Sequence, residues 1–337
     1  MKSLKLILLF IIVYQSHAQI SDFNHIDFEK ADNVALVCKG EGLTNLPELS
    51  YKLTAKLDTD VERFRAIYRW VCGNIANDYS LYLRNKHKRE RFKDDSTKLK
   101  TWNDTFRKIL FKKLLKDKRT ICTGYAYLVK ELAKLADIEC KIVQGYGRVS
   151  TTDIENLDLP NHSWNAVKLD NKWYLCDPTW ASGIPDPESN RFTFQYNDGF
   201  FLANPKLFAI NHFPIEGQWW LIDKNIPSFK TFLASPIIYG KAYENLTLHN
   251  KPKQLHHTIE KHEKVIFQYE LKKTVASDDI RLLIDNGFSN RKTKATSTSI
   301  DDKQLTLEHQ FNNTGFYDVH LYIKDDLIST YTIKVKS

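Results

Sequence analysis

Cys122 stands where an amphipathic helix is expected to begin. Unpaired N–H groups and the helix dipole at a helix N-terminus stabilise a thiolate, which is the nucleophilic form of cysteine. A buried structural role is the commoner fate of a single cysteine, so position alone makes Cys122 only a candidate nucleophile. The apolar residues that follow it on one helical face are Tyr125, Leu128, Val129, Leu132 and Leu135.

A histidine and an aspartate lie on a predicted β-hairpin further along the chain. Residues 162–169 and 172–177 have the pattern of strands, and the Asp-Asn pair at 170–171 is typical of a two-residue turn. With that turn, His162 and Asp177 become diagonal neighbours on one face, with ~7–8 Å between their backbones. A slip of one residue would place them on opposite faces.

These three residue types together can perform acyl transfer. A cysteine nucleophile needs a histidine as its base, and a carboxylate beside the imidazole holds the required tautomer and stabilises the charged ring. A lone strand histidine is more often a core residue, and Asp177 before Pro178 could simply start a turn. Three such residues in a compatible geometry are much less expected by accident. We therefore predict Cys122, His162 and Asp177 as a catalytic triad.

The spacing of apolar residues along the chain indicates the helices and strands that must position these three residues. A capping box at 59–62 opens a helix, another helix is expected around 105–115, and a strand over 139–146 precedes the hairpin. The apolar stripe of the first helix is Val61, Phe64, Ile67, Tyr68, Val71 and Ile75. From about residue 236, short strands follow at the spacing of a β-sandwich, at 265–271, 280–284, 305–311, 317–323 and 331–335.

Three short blocks around the candidate residues resemble the catalytic blocks of transglutaminase-like proteins. They are 122–126 (CTGYA), 161–167 (NHSWNAV) and 177–180 (DPTW). Residues 69–75 are similar to that family's helix before the nucleophile, and 200–205 and 212–219 resemble the trailing block of its kyphoscoliosis-peptidase-like branch. The resemblance covers roughly 58–225. It implies the α+β fold shared with papain-like proteases, with Cys122 as nucleophile, His162 as base and Asp177 as orienting carboxylate.

The chain departs from the family pattern before the nucleophile. The helix that usually ends Ile-x-Tyr-Asp reads Ile-Ala-Asn-Asp at 75–78, with the aromatic residue displaced to Tyr79. The basic stretch 80–118 is longer than expected, which leaves the second oxyanion donor unassigned. The backbone N–H of Cys122 is one donor candidate, and Trp102 is a guess for the other.

Several residues near the triad have a structural role as their first interpretation. Trp164, Trp173 and Trp180 could shape an acyl cleft, but aromatic residues on a hairpin more often belong to the core. His212 is also expected to be structural. Residues 161–163 match a glycosylation sequon. We interpret that match as accidental, or as unused by the host, because a glycan there would obstruct the site.

The other four cysteines give no metal signature. There is no CxxC or Cys/His metal spacing and no calcium-loop motif, so we expect neither a metal nor a cofactor. Five cysteines in an exported chain leave at least one thiol free if the others pair. Cys72 and Cys140 lie in apolar patterns typical of core positions. Cys176 stands where a non-thiol residue is expected, and a bridge between Cys140 and Cys176 is left open.

Residues 1–18 have the pattern of a secretory signal. Lys2 and Lys5 form a basic end, residues 4–14 are a nearly unbroken apolar run, and a small-x-small cleavage site ends at Ala18. A transmembrane anchor is the alternative, but the run is shorter than the roughly 20 apolar residues that cross a bilayer. We therefore expect cleavage near Ala18, a secreted or periplasmic protein, and no membrane anchor.

The net charge is +8, or +6 once the two charges of Lys2 and Lys5 are removed, and much of it is local. Residues 84–119 hold fifteen Lys/Arg against five Asp/Glu. Such a run could touch an acidic polymer or a membrane surface, although a solvated helical face is commoner. No nucleic-acid reading motif accompanies it, and export fits nucleic-acid binding poorly. We expect no nucleic-acid partner.

The sequence predicts an α+β fold: a transglutaminase/papain-like core, with a helix-borne cysteine packed on an antiparallel sheet, then an immunoglobulin-like β-sandwich. The expected units are the signal 1–18, a lead-in 19–57, a catalytic domain 58–235 and the sandwich 236–337. The expected function is secreted, cysteine-dependent acyl transfer on peptide or side-chain amides of a protein or peptide substrate. The branch resemblance favours hydrolysis over amine transfer. A non-catalytic protein-binding or scaffolding role, with docking through the sandwich, is the alternative.

Overall fold

The computed structural model describes residues 19–186 and 188–337, and the predicted signal at 1–18 lies outside the described residues. The α-helices are α1 (Glu29–Val37), α2 (Leu46–Thr54), α3 (Asp60–Asn74), α4 (Tyr79–Arg91), α5 (Ser96–Asp117), α6 (Cys122–Leu135), α7 (Pro178–Ser182), α8 (Pro205–Phe208), α9 (Phe229–Ala234) and α10 (Ala242–Asn245). Short 3₁₀ helices are Ile20–Phe23, Asp198–Phe200, Gly217–Trp220 and Ser277–Asp279. Within the described ranges, no helix has both the length and the apolar character needed to cross a membrane.

The strands of the first part of the chain form one main sheet and two small pairs. They are β1 (Ala76–Asn77), β2 (Arg119–Thr120), β3 (Cys140–Gly147), β4 (His162–Leu169), β5 (Lys172–Cys176), β6 (Gly183–Pro185), β7 (Phe192–Phe194) and β8 (His212–Pro214). The main sheet has the order β5-β4-β3-β8 and is antiparallel throughout. The small pairs are β1–β2, which is parallel, and β6–β7, which is antiparallel.

Helices α3 and α6 pack with this sheet in one continuous core. Thr59 and Glu62 form the predicted capping box, in which each side chain accepts a hydrogen bond from the other residue's backbone N–H. Every residue of the predicted α3 stripe is buried, and α6 begins at Cys122 as expected. Only Leu135, at the end of the α6 stripe, is exposed. The predicted core, a helix-borne cysteine on an antiparallel sheet, is confirmed.

The β4–β5 hairpin has the predicted turn and register. Asp170 and Asn171 have φ values of 47° and 62°, the left-handed conformation that a two-residue type I′ turn requires. The residues that flank the turn pair with each other, and the ladder runs outward to Asn165 and Cys176. It stops one pair earlier than predicted, because Asp177 leaves the sheet to cap α7.

The basic stretch between α3 and α6 folds into a helical hairpin, α4 and α5. Helix α5 is longer than the predicted 105–115 segment. The buried Asp78 caps α4 by accepting from the Leu81 N–H at 3.0 Å, and its carboxylate pairs with Lys113 of α5 at 2.5 Å. None of the lysines and arginines of 84–119 is fully buried, as expected for a solvated face. The hairpin has a small core of its own, formed by Leu81, Phe106, Leu110 and Ile121.

The C-terminal strands form a β-sandwich, as predicted. They are β9 (Ile237–Ile238), β10 (Leu246–Lys251), β11 (His256–Glu260), β12 (Lys264–Leu271), β13 (Ile280–Asp285), β14 (Asn290–Thr293), β15 (Ser297–Asp301), β16 (Gln304–Gln310), β17 (Gly315–Ile323) and β18 (Asp326–Lys336). One sheet has the order β10-β12-β16-β15, and the other has the order β11-β18-β17-β13-β14. Alternate residues of β12 are buried, because one face of each sheet packs on the other.

The segment 232–239, which leads into the sandwich, contacts both the end of β3 in the main sheet and the sandwich. The guanidinium of Arg148, buried just after β3, donates to backbone carbonyls within residues 232–236. Further along, β9 pairs with β18, and the Tyr239 N–H donates to the Ile328 carbonyl at 3.0 Å. The junction is therefore fixed to the main sheet on one side and to the sandwich on the other.

The lead-in also packs on the same core as the helices of the site. The Ser50 hydroxyl of α2 donates to the Leu132 carbonyl of α6 at 3.0 Å. Arg65 of α3 forms an ion pair with Asp32 of α1 at 2.7 Å. Helices α1 and α2 thus pack on α3 and α6.

Gly124 allows α6 to begin close to β2, because a Cβ here would lie 1.9 Å from Oγ1 of buried Thr120. We expect Gly124→Ala to lower the free energy of unfolding by about 1–3 kcal/mol, the usual cost of overpacking a core. Urea denaturation followed by circular dichroism measures it. The matched control is Gly73→Ala in α3, where a Cβ meets no atom within 4 Å. That change should raise stability by about 0.5–1 kcal/mol. Equal effects at both positions would contradict this explanation.

Candidate active site

Cys122 is buried in the first turn of α6. The N–H groups of Gly124 and Tyr125 donate to the carbonyl of Ile121, so the helical hydrogen bonds start at the residue before the cysteine. Within residues 19–186 and 188–337, the backbone N–H of Cys122 has no hydrogen-bond partner. An unpaired N–H and the positive end of the helix dipole therefore lie next to the thiol.

A hydrogen bond joins the imidazole of His162 to the carboxylate of Asp177. His162 Nε2 lies 2.7 Å from Asp177 Oδ2, and both side chains are buried. Asp177 Oδ1 accepts from the backbone N–H groups of Thr179 and Trp180 at 2.8 and 3.1 Å. Because Asp177 both ends the hairpin and caps α7, a strand and a helix fix the direction of its carboxylate.

The charges of the three residues favour a thiolate–imidazolium pair. Burial alone raises the pKa of Cys122, but a hydrogen bond with His162 and the charge of that ring lower it below the ordinary value. Burial would likewise lower the pKa of His162, yet the charge and hydrogen bond of Asp177 raise it to about 10. Against the effect of burial, the charge of His162 holds the pKa of Asp177 well below its usual range. Since Nε2 is bonded to Asp177, Nδ1 is the ring nitrogen left for the thiol.

His212, expected to be structural, shares the carboxylate of Asp177. Its Nε2 lies 3.1 Å from Asp177 Oδ2, the oxygen that His162 also contacts, and its Nδ1 lies 3.2 Å from the Phe208 carbonyl. Burial lowers the pKa of His212 to about 4, so at neutral pH this ring is uncharged. Its position within the trailing block 212–219 was the one sequence signal that could have drawn attention to it.

The three tryptophans have different positions. The Trp180 ring stacks on that of His162, with centroids 4.8 Å apart and planes 19° apart, and it lines the cleft beside the thiol. Trp164 is buried and meets His212 edge-on at 5.1 Å, as expected for a core residue. Trp173 lies away from the site and packs on Trp219. Only Trp180 therefore covers the imidazole from the side of the cavity.

A cavity of about 610 Å³ opens beside Cys122 and His162. Its walls are α4, the loop 149–161, the α7 region and the segment 238–243 that leads into the sandwich. The charged residues in these walls are Lys86, Arg89, Glu90 and Asp153. The cavity thus combines apolar and polar walls around the triad and has the size of a site for part of a peptide.

Trp102 does not lie at the thiol. Its indole N–H donates to Asn85 Oδ1 at 3.0 Å, its ring packs on Phe106, and it is not among the residues that line the cavity. The guess that it supplies the second oxyanion donor is wrong. The side-chain amide of Asn161, in the sequon, forms two hydrogen bonds with the backbone of Gly147. Its oxygen accepts from the Gly147 N–H at 2.7 Å, and its NH₂ group donates to the Gly147 carbonyl at 3.0 Å. That side chain is therefore part of the β3–β4 edge.

All five cysteines are free thiols, including Cys140 and Cys176. Burial raises the pKa of Cys140 to about 12 and raises the pKa of Cys38, Cys72 and Cys176 as well. Cys122 alone among the five has a lowered pKa. Thiolate chemistry is therefore concentrated at one position.

One group of described side chains has the composition and spacing of a metal site. The ligating atoms of His162, Asp177 and His212 lie within 4.8 Å of one another. Each of the two Nε2 atoms already contacts Asp177 Oδ2 at hydrogen-bond distance, so these three atoms have partners without an ion. The expectation of no metal stays a prediction.

Comparison with known proteins agrees with this arrangement. Residues 47–178 match the family model of the transglutaminase-like superfamily, a range that includes the cysteine, the histidine and the aspartate. This region belongs to the transglutaminase-like superfamily. The match begins within the first residues of α2, which is consistent with the packing of that helix on α6.

The curated relatives of this chain include the branch that the sequence resembles. Kyphoscoliosis peptidase of Homo sapiens is 33% identical over 198 residues, which is 58% of this chain and 27% of the relative. Kyphoscoliosis peptidase of Mus musculus is 33% identical over 199 residues, with the same coverage. Hillarin of Drosophila melanogaster is 23% identical over 214 residues, or 60% of this chain and 24% of the relative. The matched region spans about a quarter of the length of these relatives.

Replacing Asp177 tests the charge relation within the triad. Asp177→Asn removes the charge that keeps His162 protonated, so the thiolate of Cys122 loses its cationic partner while burial still opposes it. We expect the midpoint of thiolate formation to move up by about 1–3 pH units. The pH dependence of alkylation by iodoacetamide measures that midpoint. Asp153→Asn removes a carboxylate from the same cavity and should leave it nearly unchanged. A downward shift, or equal shifts in both variants, would refute the assignment.

Proposed function

We propose that this protein is a cysteine-dependent acyl-transfer enzyme that acts on peptide or side-chain amides. The observation that carries the proposal is the 2.7 Å contact between His162 Nε2 and Asp177 Oδ2, in a buried site whose charges lower the pKa of Cys122. This geometry supports nucleophile, acid–base and orienting roles for the three residues. The match of residues 47–178 to the transglutaminase-like superfamily supports the same class of chemistry.

The reaction begins with attack of the Cys122 thiolate on the carbonyl carbon of an amide. The C–N bond then breaks as the protonated His162 gives its proton to the leaving amine. A thioester remains on Cys122, and His162 is neutral. Water or an amine next attacks the thioester, His162 takes the proton of that nucleophile, and the thiolate leaves. Asp177 holds the imidazole and stabilises its charged form in both steps.

The oxyanion formed in each step needs donors near the thiol. The unpaired backbone N–H of Cys122 is the first donor in this proposal. We propose the side-chain amide of Asn77 as the second, in place of Trp102. Asn77 lines the cavity, and the β1–β2 pairing places it opposite Thr120, two residues before the nucleophile.

Hydrolysis is favoured over amine transfer in this proposal. The support is the similarity to two proteins named Kyphoscoliosis peptidase, each 33% identical to this chain over the matched region. A protein or peptide substrate follows from the same similarity and from the size of the cavity beside the triad.

A non-catalytic, protein-binding role is the second candidate. It is supported by apolar side chains that the sandwich presents to solvent. Phe288, in the loop between β13 and β14, is 99% exposed, and Phe316 of β17 is 62% exposed. Docking through the sandwich is compatible with either function, whereas an unreactive Cys122 is compatible only with the binding role.

Labelling of the reduced protein with a thiol-directed probe at pH 6 separates the two candidates. We expect rapid labelling of Cys122 in the wild type and at least about a hundredfold slower labelling in Cys122→Ala, because the other thiols have raised pKa values. Cys140→Ala is the matched control and should label like the wild type. Equal labelling of wild type and Cys122→Ala would favour the binding role.

The acceptor is tested by incubating the reduced, full-length protein with a peptide library, with and without a primary amine. We expect cleaved or deamidated products that depend on Cys122 and His162, with little incorporation of the amine. Mass spectrometry distinguishes the two outcomes, because hydrolysis and amine transfer give different masses. Predominant amine incorporation would reverse the preference for hydrolysis.

We also propose export, supported by the pattern of residues 1–18. Protein recovered from the periplasm or medium of an expressing cell should have the intact mass of a chain that begins at Gln19. A Leu8→Arg/Leu9→Arg variant, which interrupts the apolar run, should stay in the cytoplasm at its full mass. Recovery of full-length wild type from the cytoplasm would argue against export. An exported enzyme would also require Cys122 to be kept reduced.

A further inference from the structure

Arg89 lies on the face of α4 that forms a wall of the cavity beside Cys122. Tyr82, Lys86 and Arg89 recur at helical spacing, and all three line that cavity. The helix is fixed at its start by the buried Asp78 cap and by packing of Leu81 on α5, and near its middle by the hydrogen bond from Trp102 to Asn85. The position of the guanidinium is therefore set by a supported helix and not by a loop.

The guanidinium of Arg89 has donors that the protein does not use. Its Nη1 donates to the carbonyl of Pro160 at 2.8 Å, whereas its Nε is buried and has no hydrogen-bond partner in the described part of the chain. The acids nearest to it along α4 and the facing loop, Glu90 and Asp158, pair with Lys93 at 2.6 and 2.9 Å. Arg89 forms no ion pair with any described carboxylate.

The hydrogen-bonding capacity of this guanidinium is only partly used. It has five N–H donors in a planar fork, and a single backbone carbonyl uses only part of them. Burial lowers the pKa of Arg89, and the groups whose charge acts on it are Cys122, Tyr146 and Tyr82, none of which is a carboxylate. The ligand that best matches parallel guanidinium donors is the pair of oxygens of a carboxylate.

The other charges of the cavity allow such a ligand. Lys86, one turn before Arg89, adds a second positive charge to the α4 wall. Glu90 pairs with Lys93, and the charge of Lys86 acts on Asp153 in the facing loop. Arg89 is thus the cation of this wall that is half-buried and pairs with no carboxylate among the described residues.

We propose that Arg89 is a specificity residue that binds a carboxylate of the substrate beside the amide that Cys122 attacks. This inference rests on the proposed acyl-transfer function and names its substrate class. The substrates are peptides with an acidic side chain, or a free C-terminal carboxylate, near the reactive amide. A competing explanation is that Arg89 only balances the charge of the thiolate, and the test below distinguishes the two.

The first test uses alkylation of Cys122 by iodoacetate, which carries a carboxylate, and by iodoacetamide, its neutral analogue. The readout is the ratio of the two rate constants at the pH plateau of each variant, which removes effects on thiolate formation. We expect Arg89→Met to lower this ratio by about tenfold, the size of a charge-assisted hydrogen bond, and Arg89→Lys to restore much of it. Arg84→Met, at an exposed arginine of the same helix outside the cavity, should leave the ratio unchanged.

Three outcomes decide this first test. A lowered ratio in Arg89→Met alone supports the proposal. An unchanged ratio with a raised midpoint of thiolate formation overturns it in favour of charge balance. No reaction of Cys122 with iodoacetamide in the wild type refutes the proposed acyl-transfer function itself, so the two failures are distinguishable. Circular dichroism of each variant checks that the fold is intact.

The second test distinguishes the sources of the carboxylate with peptides that differ at one position. Matched pairs carry Glu or its neutral isostere Gln beside the reactive amide, and a free or amidated C-terminus. We expect the wild type to have about tenfold higher kcat/KM for one acidic member, and Arg89→Met to lose that preference. A preference for Glu identifies a side-chain carboxylate, and a preference for the free acid identifies the C-terminus. Equal rates for all members in the wild type would overturn the proposal.

Discussion

The buried carboxylate of Asp177 is the interaction centre on which the rest of the site depends. Four groups surround its two oxygens: the N–H groups of Thr179 and Trp180, which donate to Oδ1, and the rings of His162 and His212, whose Nε2 atoms lie 2.7 and 3.1 Å from Oδ2. A buried carboxylate without such partners would take a proton instead of keeping its charge. Because these partners keep Asp177 ionised, it can raise the pKa of His162, and the charged ring can lower the pKa of Cys122.

The same residue joins two elements of the fold. Asp177 follows the last paired residue of β5 and caps α7. The hairpin register and the start of the helix therefore fix the same direction for the Asp177 side chain. The neighbouring strand must leave room for the base, and Gly147 of β3 does so, since a Cβ there would lie 2.9 Å from the His162 side chain. Strand pairing, more than any loop, therefore fixes the geometry of the triad.

The parts of the site that follow local rules could be predicted from sequence. The Asp-Asn turn at 170–171 set the register that brings His162 to Asp177, and the helical period placed Cys122 at the start of α6. The place of His212 at Asp177 depends on β8 pairing with β3, a contact across more than sixty residues that no local pattern encodes. Arg89 was one cation in a basic run, and only the docking of α4 over the thiol separates it from its solvated neighbours.

The pairing of β9 with β18 has a consequence for access to the cavity. Tyr239 lines the cavity, yet its N–H is bonded to Ile328 and its hydroxyl to Thr330, both of the sandwich. One rim of the cleft is therefore an edge of the sandwich sheet, and the sandwich is a component of the binding site in addition to being a neighbouring domain. A force or a partner that tilts the sandwich would widen or narrow the entrance to the thiol. Substrate entry is therefore coupled mechanically to the orientation of the C-terminal sandwich.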